Sequence, residues 1–360
     1  MIFRTALLRE LAAAAAATFF VLVGIVITML LLRLLGQAAS GAITSTGIVA
    51  LLGFAMINYL PVLISLTLFI SVLMTLTRSY RDSEMIVWFS SGMSLTQWIR
   101  PVLLFATPLV LVIALLSLAL SPWAVANSEE VRRQMDSRSD VTAISPGVFR
   151  ESRHAARVYF VEEVAGAENL VANVFVSSTL HGRQGVMVAA RGFQETAENG
   201  DRFLVLLNGR RYEGEPGSKE FKVYEFERYA MRVDTFETRA QRAPTTKSLS
   251  TLELVREPTP RNLAELSWRL GVPTATLILS LLAIPLSFVN PRAGRSLNLV
   301  LALLIYMTYS NLLSMTQASI AQSRISPVAG LVGVHAVMLL LLLVLFYRRL
   351  MVFSLFRLVR

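Results

Sequence analysis

The 360-residue sequence contains no cysteine, and its absence excludes disulfide bonds and thiolate metal sites anywhere in the chain. The sequence is also poor in charge. Asp, Glu, Lys and Arg make up 16% of the residues, whereas an ordinary soluble domain carries about 25%. Because 54% of the residues are hydrophobic, the composition argues against a water-soluble enzyme and favours a membrane protein.

Acidic residues are scarce outside one segment of the chain. Residues 128–268 hold 20 basic and 21 acidic residues, whereas the remainder holds 14 arginines and only three acidic residues, Glu10, Asp82 and Glu84. The net charge of +10 is therefore the sum of a nearly neutral segment and a strongly basic, apolar remainder. Those arginines punctuate apolar runs instead of forming a stripe, so the high pI does not indicate a nucleic-acid-binding surface.

Six uncharged stretches predict six transmembrane helices. Each contains at least 22 residues, and a helix of 22 residues is about 33 Å long, enough to cross a hydrocarbon core of about 30 Å. The second stretch begins with small and polar residues, so we expect its helix to start near Ile48. The stretches are 11–32, 34–77, 101–128, 270–291, 296–323 and 325–347.

The arginines predict the orientation of these helices. With a cytoplasmic N-terminus, 11 of the 14 arginines outside residues 128–268 face the cytoplasm, and only Arg33, Arg269 and Arg324 lie on the other side. Both termini are then cytoplasmic and residues 128–268 are extracytoplasmic. The six alanines from Ala12 to Ala17 can belong to a signal peptide, but the apolar run continues to Leu32, so we expect a retained anchor.

The predicted domains are therefore residues 1–127 with three membrane helices, residues 128–268 outside the membrane, and residues 269–360 with three more helices and a basic cytoplasmic tail. Within the middle segment, short β-rich runs predict an all-β domain, a sandwich or jelly roll. Residues 198–201 and 208–210 are read as turns between strands. The β-rich runs are 157–164, 173–179, 185–190, 202–207 and 221–226.

Motifs for catalysis or metal binding are missing from the sequence. His154 and His181 lack metal-ligand spacing, and His335 inside the sixth helix is read as a packing residue. The chain has no phosphate-binding loop of the type Gly-x4-Gly-Lys-Ser/Thr. Its predicted membrane helices contain no carboxylate, which argues against a proton- or sodium-coupled transporter. We therefore expect no cofactor on this chain and an energy source in a partner.

The segment between the second and third membrane helices carries two of the three isolated acidic residues. A short helix at about 82–95 is predicted there, capped by Asp82 or Ser83. An apolar face follows from i, i+3, i+4 and i+7 spacing and comprises Met85, Trp88, Phe89 and Gly92. The helix can lie flat under the bilayer, or Glu84 can dock against a cation of a cytoplasmic partner. The acidic character of the loop favours docking, because a membrane-surface helix normally has a basic polar face.

Three motifs in the sequence resemble the lipopolysaccharide export permease family (LptF/LptG), and most closely its LptF branch. They are the Ser83–Glu84 helix followed by Gly92-Met-Ser, Glu265-Leu-Ser-Trp-Arg269, and Pro285-Leu-Ser-Phe-Val-Asn-Pro-Arg-Ala-Gly-Arg295. The resemblance covers essentially the whole chain. It implies a subunit of an ABC transporter in the inner membrane of a Gram-negative cell, with a periplasmic β-jellyroll and a role in building the outer membrane. The implied partners are an LptG-like permease, two LptB-like ATPases that use ATP and Mg, LptC-like and LptA-like periplasmic proteins, and lipopolysaccharide itself.

The resemblance also implies roles for a few residues. Ser83, Glu84, Met85, Trp88, Phe89 and Gly92 fall on the coupling helix that contacts the ATPase, with Glu84 as its glutamate. Arg33 falls on a basic position near lipid A phosphates, whereas Leu30 stands where other members can carry lysine. Arg324, beyond the fifth membrane helix, is a second candidate for lipopolysaccharide binding because fixed cations suit phosphates. The alternative for both arginines is snorkelling to lipid headgroups.

An alternative function keeps the coupling helix without moving lipid. In that interpretation the chain is an ABC-type mechanotransmitting or scaffolding membrane protein that acts on periplasmic partners. A membrane enzyme is a weaker alternative still, because no constellation of His, Asp and Glu supports it. Copurified lipopolysaccharide would separate the transporter from the scaffold.

Overall fold

The computed structural model describes residues 2–39, 47–142, 149–151, 157–165, 170–180, 183–197, 202–214, 221–234, 244–288 and 295–355. The chain forms two compact units. One is helical and combines Met1–Arg132 with Pro244–Arg360, and the other is Arg133–Ala243. The second unit is shorter at both ends than the predicted segment 128–268, because helices occupy the residues on either side.

Nine α-helices are present in the described parts of the chain. Between α3 and α4 lies a short 3-10 turn, Leu95–Trp98, and a π-helical turn, Leu116–Leu120, joins α4 directly to α5. The helices are α1 (Ile2–Ala39), α2 (Ile48–Arg81), α3 (Glu84–Ser90), α4 (Ile99–Leu115), α5 (Ser121–Thr142), α6 (Thr251–Arg256), α7 (Pro260–Leu286), α8 (Arg295–Ala321) and α9 (Pro327–Leu355).

Six of the described helical stretches are long and apolar enough to cross a membrane, as the uncharged runs predict. They are Thr5–Ala39, Ile48–Arg81, Leu95–Met135, Pro260–Leu286, Leu299–Ala321 and Pro327–Leu350. In α2 and α7 the apolar window is 67% and 72% buried by protein, compared with 6% in α1. These two helices therefore form the centre of the bundle, and α1 presents most of its apolar surface outward.

Hydrogen bonds link the central helices inside the bundle. Thr276 of α7 donates to Ser65 of α2 at 2.8 Å, and the Tyr306 hydroxyl of α8 donates to the carbonyl of Val62 at 3.3 Å. Polar contacts of this kind join membrane helices because lipid offers their side chains no alternative partner. The two hydrogen bonds fix the positions of α2, α7 and α8 along their axes relative to one another.

A buried ion pair lies near the start of α7. Arg269 is 2% exposed, and its Nε donates to Oε1 of Glu265 at 3.1 Å, one helical turn earlier. The other guanidinium nitrogens reach α6 and the segment before it. Nη1 donates to Oγ1 of Thr251, the first residue of α6, at 2.9 Å, and Nη2 donates to the carbonyls of Lys247 and Leu249 at 3.1 and 3.0 Å. Arg269 therefore holds the chain that leads into α6 against α7.

Neighbouring helices extend this cluster. Gln317 of α8 donates to the second carboxylate oxygen of Glu265 at 3.1 Å. Ser117, in the π-helical turn, donates to the carbonyl of Arg269 at 3.1 Å, and the Thr251 hydroxyl donates to the carbonyl of Leu118 in the same turn. We call Glu265, Arg269, Thr251, Gln317 and Ser117 the Arg269 cluster; it joins α6, α7, α8 and the third membrane helix.

The helix α6 next to this cluster has a complete capping box. The Ser250 hydroxyl accepts from the Glu253 N–H at 3.3 Å, and the Glu253 carboxylate accepts from the Ser250 N–H at 2.7 Å. The hydrogen bond from the Ser250 N–H to the carboxylate, and after it the Ser250 side chain, hold the pKa of Glu253 below its ordinary value because they favour the ionised form. The start of α6 is thus fixed on both sides, by its cap and by Arg269.

The second unit contains one antiparallel sheet of six described strands in sequential order. All five predicted β-rich runs lie within strands, which are mostly longer than expected. The described strands form a meander, and the two-sheet arrangement of a jelly roll stays a prediction. The strands are β1 (Arg150–Glu151), β2 (Arg157–Ala165), β3 (Leu170–Leu180), β4 (Arg183–Thr196), β5 (Arg202–Gly214) and β6 (Phe221–Asp234).

The predicted turn at residues 208–210 is wrong, because these residues lie inside β5. Asn208 has a positive φ of 52°, and so does Asn173 in β3, at 51°. The strand pairing passes over both asparagines without a change of register. In β3 and β4, Ala172 pairs with Arg191 and Val174 pairs with Ala189; in β4 and β5, Ala189 pairs with Gly209 and Arg191 pairs with Leu207. Asparagine tolerates the left-handed conformation, so the Asn-Gly signal marks an irregularity within a strand instead of a hairpin.

One face of the sheet carries its core. Val176, Met187, Leu204, Leu206 and Met231 are buried together on it. At Gly209 a Cβ atom would lie 2.5 Å from the Phe226 ring and 2.5 Å from the carbonyl oxygen of Val188. The backbone of β5 therefore approaches its neighbours more closely there than any other residue type allows.

We expect Arg269→Met to destabilise the helical unit by about 3–5 kcal/mol, because the change leaves the Glu265 carboxylate buried without its cation. The measurement is thermal unfolding of the purified full-length chain in detergent. Arg324→Met is the matched control: Arg324 is exposed, and we expect a change within about 0.5 kcal/mol. Equal unfolding midpoints for the two variants would contradict the structural role of the Arg269 cluster.

We expect Gly209→Ala to destabilise the sheet by about 1–3 kcal/mol, because the added methyl group overlaps the Val188 carbonyl and the Phe226 ring. Limited proteolysis of the full-length chain, followed by the rate of cleavage within residues 150–234, measures the effect. Gly185→Ala is the control within the same sheet, since its Cβ would lie 3.3 Å from the movable Ser178 hydroxyl. Faster cleavage of the Gly185 variant than of the Gly209 variant would refute the close approach of β5 to Val188 and Phe226 at Gly209.

Candidate functional site

The helix α3 is shorter than predicted and lacks the predicted cap. It begins at Glu84, and the preceding residue, Ser83, has a left-handed φ of 62° and makes no side-chain cap hydrogen bond. Asp82 instead pairs with Arg81 at 3.3 Å. The physical reason is that the backbone N–H groups of both residues bond to the last turn of α2, so the two residues form the tight connection between α2 and α3.

The predicted apolar face of α3 is only partly correct. Met85 is buried in the helical core, and Trp88 and Phe89 pack against that core. Gly92 does not share this face. It follows the end of α3 with a φ of 91°, and the N–H groups of Gly92 and Met93 bond to the carbonyls of Phe89 and Trp88 at 3.0 and 3.2 Å, so its role is to end the helix in a Schellman motif.

The outward side of α3 carries a carboxylate and two large apolar residues. Glu84 has 43% of its side chain exposed, and Ile86 and Val87 are 65% and 67% exposed. Sequence reasoning missed Ile86 and Val87. Val87 lies on the face opposite Met85, whereas Ile86 lies about 60° from Phe89 around the helix axis. This side of α3 combines one negative charge with an apolar surface, as a protein-docking surface does.

The Glu84 carboxylate has two contacts. Ser79 of α2 donates to its Oε2 at 2.9 Å, and Nη2 of Arg78 lies 3.4 Å from its Oε1. Arg78 contacts Glu10 of α1 more closely, with its Nε 2.6 Å from Oε1 and its Nη2 2.9 Å from Oε2. The structure thus brings Glu10, 74 positions earlier in the sequence, into the predicted site.

Aromatic side chains connect α3 to three membrane helices. The Tyr80 ring of α2 lies 6.3 Å from the Phe89 ring and 5.4 Å from the Phe288 ring that follows α7. The guanidinium of Arg349, on α9, lies 3.9 Å above the Phe288 ring, within the range of a cation–π contact. These contacts join α3 to α2, to the residue that follows α7 and to α9.

Both candidate lipid-contacting arginines are exposed at the ends of membrane helices. Arg33 lies in the last two turns of α1, and Arg324 lies in the turn between α8 and α9. Neither forms an ion pair within residues 2–39, 47–142, 244–288 and 295–355. Arg33 lies near the end of the first candidate membrane helix and Arg324 follows the fifth, so the predicted topology puts both arginines on the same side of the membrane. Leu30, three residues before Arg33, is 3% exposed and supplies packing instead of charge.

The second unit has its own open cavity of about 1230 Å³. Three rings line one side of it, with Phe149 4.7 Å from Phe160 and 6.2 Å from Phe175. Arg210 and Glu225 line the other side and pair at 3.2 Å. Their hydrogen bond, together with the negative charge of Glu225, raises the pKa of Arg210 above its ordinary value. The lining is mixed, with apolar rings beside one exposed ion pair.

The structure describes one of the three histidines, His335. His335 is buried, and its Nδ1 lies 2.6 Å from the Tyr309 hydroxyl of α8, which agrees with a packing residue. His154 and His181 lie outside the described residues. Among the described residues no group of three His, Cys, Asp or Glu side chains is placed to hold a metal ion.

Comparison with known proteins adds an independent result. The family described as lipopolysaccharide export system permease LptF/LptG matches residues 5–348. The chain is 27% identical over 342 residues to the lipopolysaccharide export system permease protein LptF of Escherichia coli K12, covering 94% of this chain and 93% of the relative. The same values hold for the protein of that name from Shigella flexneri. The family match extends over all six membrane helices and the sheet between them, and the chain therefore belongs to the lipopolysaccharide export permease family LptF/LptG, in which it is most like LptF.

Proposed function

We propose that this chain is a transmembrane permease subunit of an ABC transporter that extracts lipopolysaccharide from the inner membrane of a Gram-negative cell. It passes the lipid to a periplasmic bridge leading toward the outer membrane. An LptG-like permease completes the membrane part, and two LptB-like subunits hydrolyse ATP with Mg. Both termini of this chain are cytoplasmic, and residues 128–268 are periplasmic.

The outward side of α3 is the observation that carries this proposal. If α3 were only a membrane-surface helix, its apolar residues would face the bilayer. Met85, Trp88 and Phe89 instead pack on the helical unit, and Ile86 and Val87 remain exposed beside the Glu84 carboxylate. This supports an ATPase subunit as the occupant, with a groove for the apolar pair and a cation for Glu84.

The contacts of α3 support a mechanism for transmitting the ATPase movement. Closure of the ATPase dimer displaces α3, and the rings of Phe89, Tyr80 and Phe288 pass the displacement to α2, α7 and α9. A lipid admitted from the side is then driven toward the periplasm. Because Tyr80 is almost fully buried, its position can change only together with its neighbours.

Lipopolysaccharide needs cations for its phosphates and apolar surface for its acyl chains. Arg33 and Arg324 supply exposed cations on the predicted periplasmic side, and α1 supplies an outward apolar surface that includes Phe20 and Leu32, which are 74% and 66% exposed. We propose that the two arginines contact the lipid phosphates. Their lack of ion pairs within the described helical unit supports this role.

We further propose that the sheet belongs to a periplasmic β-jellyroll that receives the lipid and passes it to LptC-like and LptA-like proteins. The aromatic side of the cavity, with Phe149, Phe160 and Phe175, suits acyl chains. Among the described strands, β6 pairs only with β5, so its other edge is open over 14 residues. An open edge of this length suits pairing with a strand of a partner protein.

Charge reversal at Glu84 tests the docking of the ATPase. We expect Glu84→Lys to lower the amount of ATPase subunit that copurifies with the permease by at least about tenfold, because a like charge then faces the partner's cation. Lipopolysaccharide release driven by ATP should fall in parallel, while the amount of permease in the membrane stays unchanged.

The control for this test is Asp82→Lys. Asp82 is two residues away with a similar exposure of 43%, but it belongs to the connection between α2 and α3. We expect the control to keep most of the ATPase bound. Wild-type binding and transport by the Glu84→Lys variant would remove the docking role.

Site-specific photocrosslinking tests the lipid contacts. We expect a photoreactive residue at position 33 or 324 to capture lipopolysaccharide in the intact transporter, because both arginines lie where its phosphates would pass. Val332 of α9, which is 58% exposed, is the control position and should capture phospholipid. Capture of phospholipid alone at all three positions would mean that the arginines snorkel to headgroups, and absence of lipopolysaccharide from the purified complex would favour the scaffolding function.

A further inference from the structure

Arg78 is shared by two carboxylates from different parts of the chain. Its Nε and Nη2 together contact both carboxylate oxygens of Glu10, at 2.6 and 2.9 Å. The contact with Glu84 uses the same Nη2 at 3.4 Å, which is longer than an ordinary N–H···O hydrogen bond. Arg78 is therefore bound in fork geometry by Glu10 and only weakly by Glu84.

The position of Glu10 is fixed by packing on either side of it. Leu7 and Leu11 of α1 are 4% and 0% exposed, and both belong to the core cluster that contains Tyr80 and Met85. The first turns of α1 thus lie against the end of α2 and the start of α3. Glu10 cannot leave Arg78 by a simple rearrangement of a loop.

This arrangement bears on the docking of a partner at Glu84. A cation of the ATPase has to compete with Arg78 for the same carboxylate, and an arginine fully paired with Glu84 would neutralise the charge that attracts the partner. Glu10 removes most of that competition, because it occupies two of the N–H donors of Arg78. The group of Glu10, Arg78 and Glu84 keeps a net charge of −1, which lies mainly on Glu84.

We propose that Glu10 is a positioning residue for ATPase docking: by binding Arg78, it keeps the Glu84 carboxylate available to the partner. This inference depends on the proposed function, since it assumes that Glu84 meets a cation of the ATPase. It adds the N-terminal part of α1 to the docking apparatus, although Glu10 itself need not contact the partner.

The proposal predicts opposite effects for the two members of the pair. Glu10→Gln releases Arg78 to pair with Glu84, and we expect ATPase binding to weaken about two- to fivefold, the range of a partly exposed ion pair. Arg78→Gln removes the competitor, so binding should equal or exceed that of wild type. In the double variant Glu10→Gln/Arg78→Gln, binding should return to the level of Arg78→Gln.

The experiment measures binding of the purified LptB-like ATPase to the complete permease heterodimer in lipid nanodiscs, at low salt and again at about 0.5 M salt. At the higher salt concentration the Debye length is about 4 Å, so exposed charges farther apart than this are largely screened. The weakening caused by Glu10→Gln should shrink at high salt. Glu225→Gln is the matched control: it makes the same chemical change in another exposed pair with arginine, Arg210, and should leave binding unchanged.

The outcomes separate this inference from the proposed function. If Glu84→Lys abolishes binding but Glu10→Gln binds like wild type, the role of Glu10 is refuted and the docking role of Glu84 stands. If Arg78→Gln weakens binding as much as Glu10→Gln and the double variant is not restored, the pair only stabilises the fold, and the inference fails. If Glu84→Lys binds normally, the proposed docking fails first.

Discussion

The Glu265–Arg269 pair is the interaction on which the predicted periplasmic end of the helical unit depends. Within the described residues, Arg269 is the most deeply buried cation, and burial of an unpaired guanidinium would cost several kcal/mol. Each of its three guanidinium nitrogens therefore donates to a nearby acceptor, and these acceptors belong to the segment before α6, to α6 itself and to α7. Because Glu265 and the Arg269 carbonyl also bind Gln317 of α8 and Ser117 of the π-helical turn, one charged group fixes four elements together.

The membrane helices were predictable because the bilayer restricts the sequence strongly. A run of 22 or more uncharged residues has few alternatives to a spanning helix, and each predicted run lies within or overlaps a helix. Helix ends outside the bilayer are restricted less. The helix α5 continues to Thr142, well past the predicted boundary at residue 127, since polar helical residues there carry no hydropathy signal. The buried role of Arg269 was also hidden, because its acceptors are mostly backbone carbonyls, which sequence does not specify.

In the candidate site, the scarcity of acidic residues pointed correctly to an exposed Glu84 on a short helix, although its role in docking stays a prediction.

Local rules failed where two elements meet. Ser83 and Asp82 fit the preferences of a helix cap, but the tight connection after α2 uses them differently. Gly92 fits the spacing of the apolar face, but a glycine two residues after a helix more often ends it. Asn208 and Gly209 have the composition of a hairpin turn, yet close packing against Phe226 keeps them in a strand. The contact between Glu10 and Arg78 joins residues 68 positions apart, so no local pattern reveals it.

The two kinds of contact around α3 differ in how easily they change. The Arg78–Glu84 pair is 43–44% exposed, and an ion pair of that exposure contributes about 0–1 kcal/mol, so a partner's cation could displace Arg78 from Glu84 at small cost. The contacts of Tyr80 with Phe89 and Phe288 are apolar and Tyr80 itself is buried, so separating the rings would expose ring surface at about 25 cal/mol per Å². A partner that binds Glu84 would therefore rearrange the charges first while the rings stay in contact. In the proposed function, this order would allow reversible docking and rigid transmission of the displacement, because different residues would perform the two tasks.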